Sequence, residues 1–94
     1  MEKNRNMMAI IKKELSESIL FVPGVASIYK PKGIKINKSQ LGWIIDINII
    51  CFFNNNIWNI MNQAQINLKY TVEKISKHQD YVQLNIMVCD LIEK

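Results

Sequence analysis

Residues Gly42 to Met61 read GWIIDINIICFFNNNIWNIM, a run as long as a membrane-spanning helix but interrupted by Asp46, Asn48 and three consecutive asparagines. No other segment restricts the possible folds as much. A spanning helix needs about 20 predominantly apolar residues, and an aspartate near its centre costs roughly 2.5–3.5 kcal/mol on insertion scales, so no membrane span is expected. Read with a period of two, the segment separates. Trp43, Ile45, Ile47, Ile49, Cys51 and Phe53 fall on one face, and Ile44, Asp46, Asn48, Ile50 and Phe52 on the other. That pattern is a strand with one dry face. Asn54, Asn55 and Asn56 suit a polar turn, because asparagine tolerates left-handed backbone and bonds to nearby main chain. A helix is expected directly after them.

The remaining elements follow from the same periodicities. From about Met7 to Leu20, Met8, Ile11, Leu15, Ile19 and then Val22 recur at helical spacing, and Pro23-Gly24 ends that helix. Residues 25–30 form a short strand, and Lys30-Pro31-Lys32-Gly33 suits a type I turn. Ile34 and Ile36 alternate with Lys35 and Asn37 in a second strand before Ser39-Gln40-Leu41-Gly42 turns the chain into the long one. Ile57, Ile60, Met61, Ala64, Leu68, Val72 and Ile75 trace the stripe of the main amphipathic helix, to about Lys77. Val82, Leu84, Ile86 and Val88 then share one face of a closing strand. Strand, helix and strand in succession favour parallel pairing of the last strand with an earlier one. The expectation is one α+β domain over residues 1–94, with residues 1–6 a disordered extension. Two helices pack on one face of a mixed sheet of about four strands, in the order α-β-β-β-α-β.

Charge and cysteines narrow the function classes. The net charge of +4 permits attraction to phosphates or anionic lipid without selecting either. MEKNRN is followed by MMAII, too short an apolar run for a signal-peptide core, and the two cysteines show no CxxC spacing. Together these point to a cytoplasmic protein with reduced thiols.

Candidate chemistry is sparse. His78 sits where the long helix should end, a position the helix dipole favours for a cation, with Asp80 nearby but no nucleophile to complete a catalytic set. Asp46 and Asp90 interrupt the mixed faces of two strands, and Asp46 is better placed to pair with Lys35 across the hairpin. No metal-ligand spacing and no glycine-rich phosphate loop are present, so neither an enzyme nor a cofactor is expected. Lys30, Lys32, Lys35 and Lys38 crowd the first hairpin beside Tyr29 and define one candidate, a nucleic-acid-binding module, although no GXXG loop accompanies them. Trp58, Ile66 and Tyr70, which lie off the stripe of the long helix, define the favoured one. With Met7 and Ile10 they offer a contact patch for a like chain or a membrane-anchored protein partner.

The order of motifs also resembles a known family. Phe21-Val22-Pro23-Gly24-Val25 ending a first helix, GWIIDINII over residues 42–50, the amphipathic helix, and LNIMV over residues 84–88 resemble the alkaline shock protein family of bacterial envelope stress response proteins, over about residues 8–90. The resemblance implies a small non-enzymatic cytoplasmic protein, self-associating or held near the membrane by a partner.

Overall fold

The computed structural model describes residues 2–30, 33–53, 56–77 and 81–93, with side chains from Asn6 onward. Its elements are α1 (Glu2–Ile19), β1 (Val25–Ile28), β2 (Ile34–Lys38), β3 (Gly42–Phe52), α2 (Ile57–Ile75) and β4 (Tyr81–Ile92). Two helices lie on one face of a four-stranded mixed sheet, the architecture expected from the alternation of periods.

β3 organises that sheet. β1 and β2 run antiparallel to it and lie end to end along one of its edges: β1 pairs with Ile49–Cys51 and β2 with Trp43–Ile47. Asn48 bridges the gap, its carbonyl accepting from the Tyr29 N–H at 2.8 Å and its N–H donating to the Gly33 carbonyl at 2.7 Å. β4 runs parallel to β3 along the other edge. The sheet is therefore only three strands wide at any point.

Register turns the alternating sequence into rows of apolar side chains. Ile34, Ile47 and Ile86 stand side by side, as do Ile36, Ile45 and Leu84. Ile45, Ile47, Ile49 and Cys51 have no exposed surface. α1 covers this face over β1 and β2, α2 covers it over β4, and the helices pack on each other through Ile11, Leu15 and Ile19 of α1 and Ile60, Ala64, Leu68 and Val72 of α2. Among the described residues no element packs on the other face of the sheet, and its β3 residues are half-buried.

Local chemistry sets the helix ends. The Asn56 side chain caps α2 by accepting from the Asn59 N–H at 3.3 Å, satisfying a donor that the first turn leaves unpaired. At the other end the Ser76 N–H donates to Val72 and Lys77 adopts a left-handed φ of 60°, closing the last turn.

Several boundaries differ from the sequence reading. α1 begins at Glu2 rather than near Met7, so residues 2–6, expected as a disordered extension, are helical. Phe53, assigned to the dry face, lies one residue past β3 and is half exposed, because the chain has already turned toward α2. Met8, Ile57, Met61, Ile75 and Val88 are half-buried edges of the stripes rather than their centres. Pro31, Lys32, Asn54, Asn55 and His78 lie outside the described residues, and with them the middle of two expected turns.

Gly42 carries the entry of β3 past β4. A Cβ on this residue would overlap the Tyr81 carbonyl oxygen and its neighbouring backbone atoms, which no side-chain adjustment relieves. Overpacking of this kind costs about 1–3 kcal/mol or more, and for a domain of this size each kcal/mol moves the melting temperature by about 4–8 °C. Gly42→Ala is therefore expected to melt at least about 5 °C below the parent in a circular-dichroism scan.

Candidate functional site

The helix layer presents a groove between α1 and α2 on the side away from the sheet. The helices run antiparallel there. Ser18 and Phe21 line it with Ile66, Asn67, Tyr70 and Thr71 at one end; Ile10, Glu14 and Ser18 line it with Tyr70, Lys74 and Ile75 at the other. Four large apolar side chains stand open along it: Phe21 is 85 % exposed, Ile66 66 %, Tyr70 61 % and Ile10 49 %. The α2 stripe of Ile60, Ala64, Leu68 and Val72 faces the core, so at 100° per residue Ile66 and Tyr70 must project away from it. Glu14 and Lys74 place opposite charges on the two walls.

The groove gathers Ile66, Tyr70 and Ile10 as the sequence suggested. It leaves out Trp58, which is exposed but precedes Ile66 by eight residues, about 12 Å along the helix. It adds Phe21, which sequence reasoning had absorbed into the helix-ending FVPGV motif. The available signal was that Phe21 lies off the α1 stripe while its neighbour Val22 continues it.

Of the hairpin lysines, Lys30, Lys35 and Lys38 do not share one surface. Along β2, Lys35 is in register with Asp46 on the open face of the sheet, whereas Lys38 is in register with Trp43, a core residue of the helix-facing side. Lys38 Nζ stands 4.8 Å from the Trp43 ring centroid, a cation–π contact. Lys30 lies in a separate hollow with Lys12, Ser16 and Ile34. The period of two that makes β2 a strand sends alternate lysines to opposite faces.

Asp46 and Asp90 are likewise apart. The Asp46 Oδ1 accepts from the Asn85 amide at 2.8 Å, while Asp90 sits opposite Ile50, four residues or about 13 Å farther along β3. Among the described residues no group of three or more His, Cys, Asp or Glu is arranged to hold a metal ion. His78 and Asp80 are outside that set.

Both cysteines are free, Cys51 buried and Cys89 exposed. Burial pushes the Cys51 thiol above the usual thiol range, since a thiolate there would lose its hydration. The sign of the linkage follows. The benefit of keeping this thiol neutral is whole below the ordinary thiol pKa and is lost as pH rises toward the folded value, because in that window only the unfolded chain ionises. Native protein at neutral pH should accordingly take one equivalent of maleimide, at Cys89, and a second only on unfolding, as counted by intact mass.

No protein-family model matches the chain, and no curated protein matches it. Solved structures do. A methionine-to-leucine variant of the MamM C-terminal domain superposes with a TM-score of 0.69 at 14 % identity, covering 88 % of this chain and 96 % of that one. A histidine-to-glutamate variant of the same domain gives 0.69 at 14 %, covering 88 % and 94 %. The nickel form of a glutamate-to-histidine variant gives 0.68 at 13 %, covering 87 % and 96 %. At this identity the likeness is one of fold, shared with the MamM C-terminal domains.

These findings overturn the resemblance to alkaline shock proteins and, with it, the envelope stress role. The motifs that suggested it, a Pro-Gly helix stop and alternating strands, encode elements rather than a family, and the fold they build superposes on the MamM domains. The nucleic-acid alternative falls too, for the fold offers it no support and Lys30, Lys35 and Lys38 are dispersed. Among the described residues, no helix is long and apolar enough to cross a membrane.

Proposed function

We propose that this domain is a non-catalytic accessory module that works by self-association, with the groove between α1 and α2 as its contact surface and the cytoplasm as its location. The observation that carries this reading is the row of four exposed large apolar side chains, Ile10, Phe21, Ile66 and Tyr70. Scattered single apolar residues on a surface are ordinary, whereas large apolar side chains gathered along one groove are often functional. The charges select a second copy as the occupant. Glu14 on one wall and Lys74 on the other let two grooves related by a two-fold axis place each Glu14 against the partner's Lys74, the reciprocal contact that an isologous interface requires.

Likeness in fold to the MamM domains supports an accessory role by analogy only. The nickel of the MamM variant is not carried across, since the described residues offer no comparable ligand group. The patch is small beside the roughly 800 Å² per partner of a standard interface, so association is expected to be concentration-dependent and no tighter than about micromolar.

Charge exchange tests the geometry. Glu14→Lys or Lys74→Glu alone should weaken association, by about three- to tenfold in sedimentation equilibrium, and the two together should restore it. Exposed single charges carry little stability, so the fold should tolerate all three variants. Equal association of the single variants and the parent would refute the two-fold arrangement.

A further inference from the structure

Two side chains occupy main-chain groups on the outer edge of β4. In a strand, main-chain groups point alternately to the two sides. The Tyr81 N–H donates to the Leu41 carbonyl beside β3, so Val82, Leu84, Ile86 and Val88 turn theirs outward. One of these, the Leu84 carbonyl, accepts a hydrogen bond from Gln65 Nε2 of α2 at 3.0 Å. Farther on the register shifts: Ile49 is opposite Val88 but Ile50 is opposite Asp90, leaving Cys89 as the extra residue of a bulge. Alternation resumes with Ile92, whose carbonyl accepts from Phe53 on the β3 side, and Leu91 therefore faces out. Its N–H is taken by the Asp90 carboxylate at 2.8 Å.

Other protection is scarce. β4 runs twelve residues, YVQLNIMVCDLI, with no lysine, arginine or proline, the residues that commonly blunt an edge. Met87, Leu91 and Ile92 are exposed along it. We infer that this edge is a latent pairing surface for β4 of a second copy, held closed by Asp90. An antiparallel pairing about a two-fold axis sets Val88 opposite the partner's Leu91, both with outward main-chain groups. The bulge residues then meet equal numbers of their counterparts, so register survives. The same axis brings two Asp90 carboxylates close as like charges, which opposes the pairing, and each carboxylate also occupies the Leu91 donor that the pairing needs. In this register Ile86 falls opposite the partner's Glu93, so Leu84 and its Gln65 contact lie outside the paired stretch. This surface is distinct from the helix groove, and the inference does not rest on the groove reading.

The test adds Asp90→Ala to a background carrying Ile66→Lys and Tyr70→Glu, so that groove association is suppressed. The probe is a short bis-maleimide, which joins two copies only where Cys89 meets its counterpart, so the readout stands even if the groove reading fails. The guarded protein should give almost no Cys89-linked dimer and the unguarded one at least tenfold more. Equal linkage in both, high or low, would overturn the guard. Should the combined variant fail to fold, Asp90→Ala alone in the parent alters one exposed residue. Hydrogen exchange at the Leu91 amide should then speed up by about tenfold or more, and unchanged protection would overturn the role of Asp90.

Discussion

Ile47→Asp is expected to yield no cooperatively folding protein at neutral pH. Ile47 is fully buried at the middle of β3, between Ile34 on one neighbouring strand and Ile86 on the other, with both helices closing the face above. A carboxylate there has no partner on the helix-facing side, where the neighbours are Ile45, Ile49, Leu68 and other apolar residues of one cluster. Burial of an unpaired charge costs several kcal/mol even after relaxation, comparable with the whole stability of a domain this size. Asp46, one residue earlier, is tolerated because its side chain leaves by the open face and accepts from Asn85. Chemical denaturation followed by tryptophan fluorescence reads the outcome, since Trp43 is buried in the same face. A sigmoidal transition at the parent midpoint would contradict the assigned face.

Ile66→Lys with Tyr70→Glu should do the opposite, leaving the fold intact while association is lost. Both side chains are more than half exposed, and substitutions at such positions usually change stability by no more than about 0.5 kcal/mol, which is a few degrees in melting temperature. Tyrosine in the centre of a patch is a frequent anchor of binding energy, and the two substitutions replace apolar surface that the contact would bury with charged groups that are costly to desolvate. A loss of at least tenfold in association, about 1.4 kcal/mol, is expected by analytical ultracentrifugation. Sedimentation of the variant as strongly associated as the parent would remove the groove from consideration and leave the open sheet face, with Ile44, Ile50 and Phe52 half-buried on β3, as the next surface to examine.

How far the candidate site was legible differs residue by residue. Ile66 and Tyr70 could be found because helical periodicity states which residues avoid the core. Ile10 could be placed off the first stripe by the same count. That these three share a groove with Phe21 depends on the antiparallel packing of α1 against α2, which no local pattern encodes. The lysine hairpin shows the converse. Proximity in sequence suggested a patch, but pleating sends Lys35 to the open face and Lys38 over Trp43.

What the sequence by itself determined is the set of elements and the buried face of each. These depend on periods of 2 and 3.6 residues, and a one-residue slip would expose an entire row of isoleucines. The parallel return of β4 to β3 was also within its reach, since a helix between two strands constrains their relative direction. Tertiary structure alone decided what meets across space: β1 and β2 sharing one edge of β3, Asn85 on Asp46, Gln65 on Leu84, and Phe21 beside Tyr70. It also decided the likeness in fold to the MamM domains, because the same ordered elements satisfy many sequences and only their packing in three dimensions distinguishes one fold from another. Contacts between distant residues arise from which surfaces the assembled layers leave uncovered, a property of the folded chain and not of any single stretch of it.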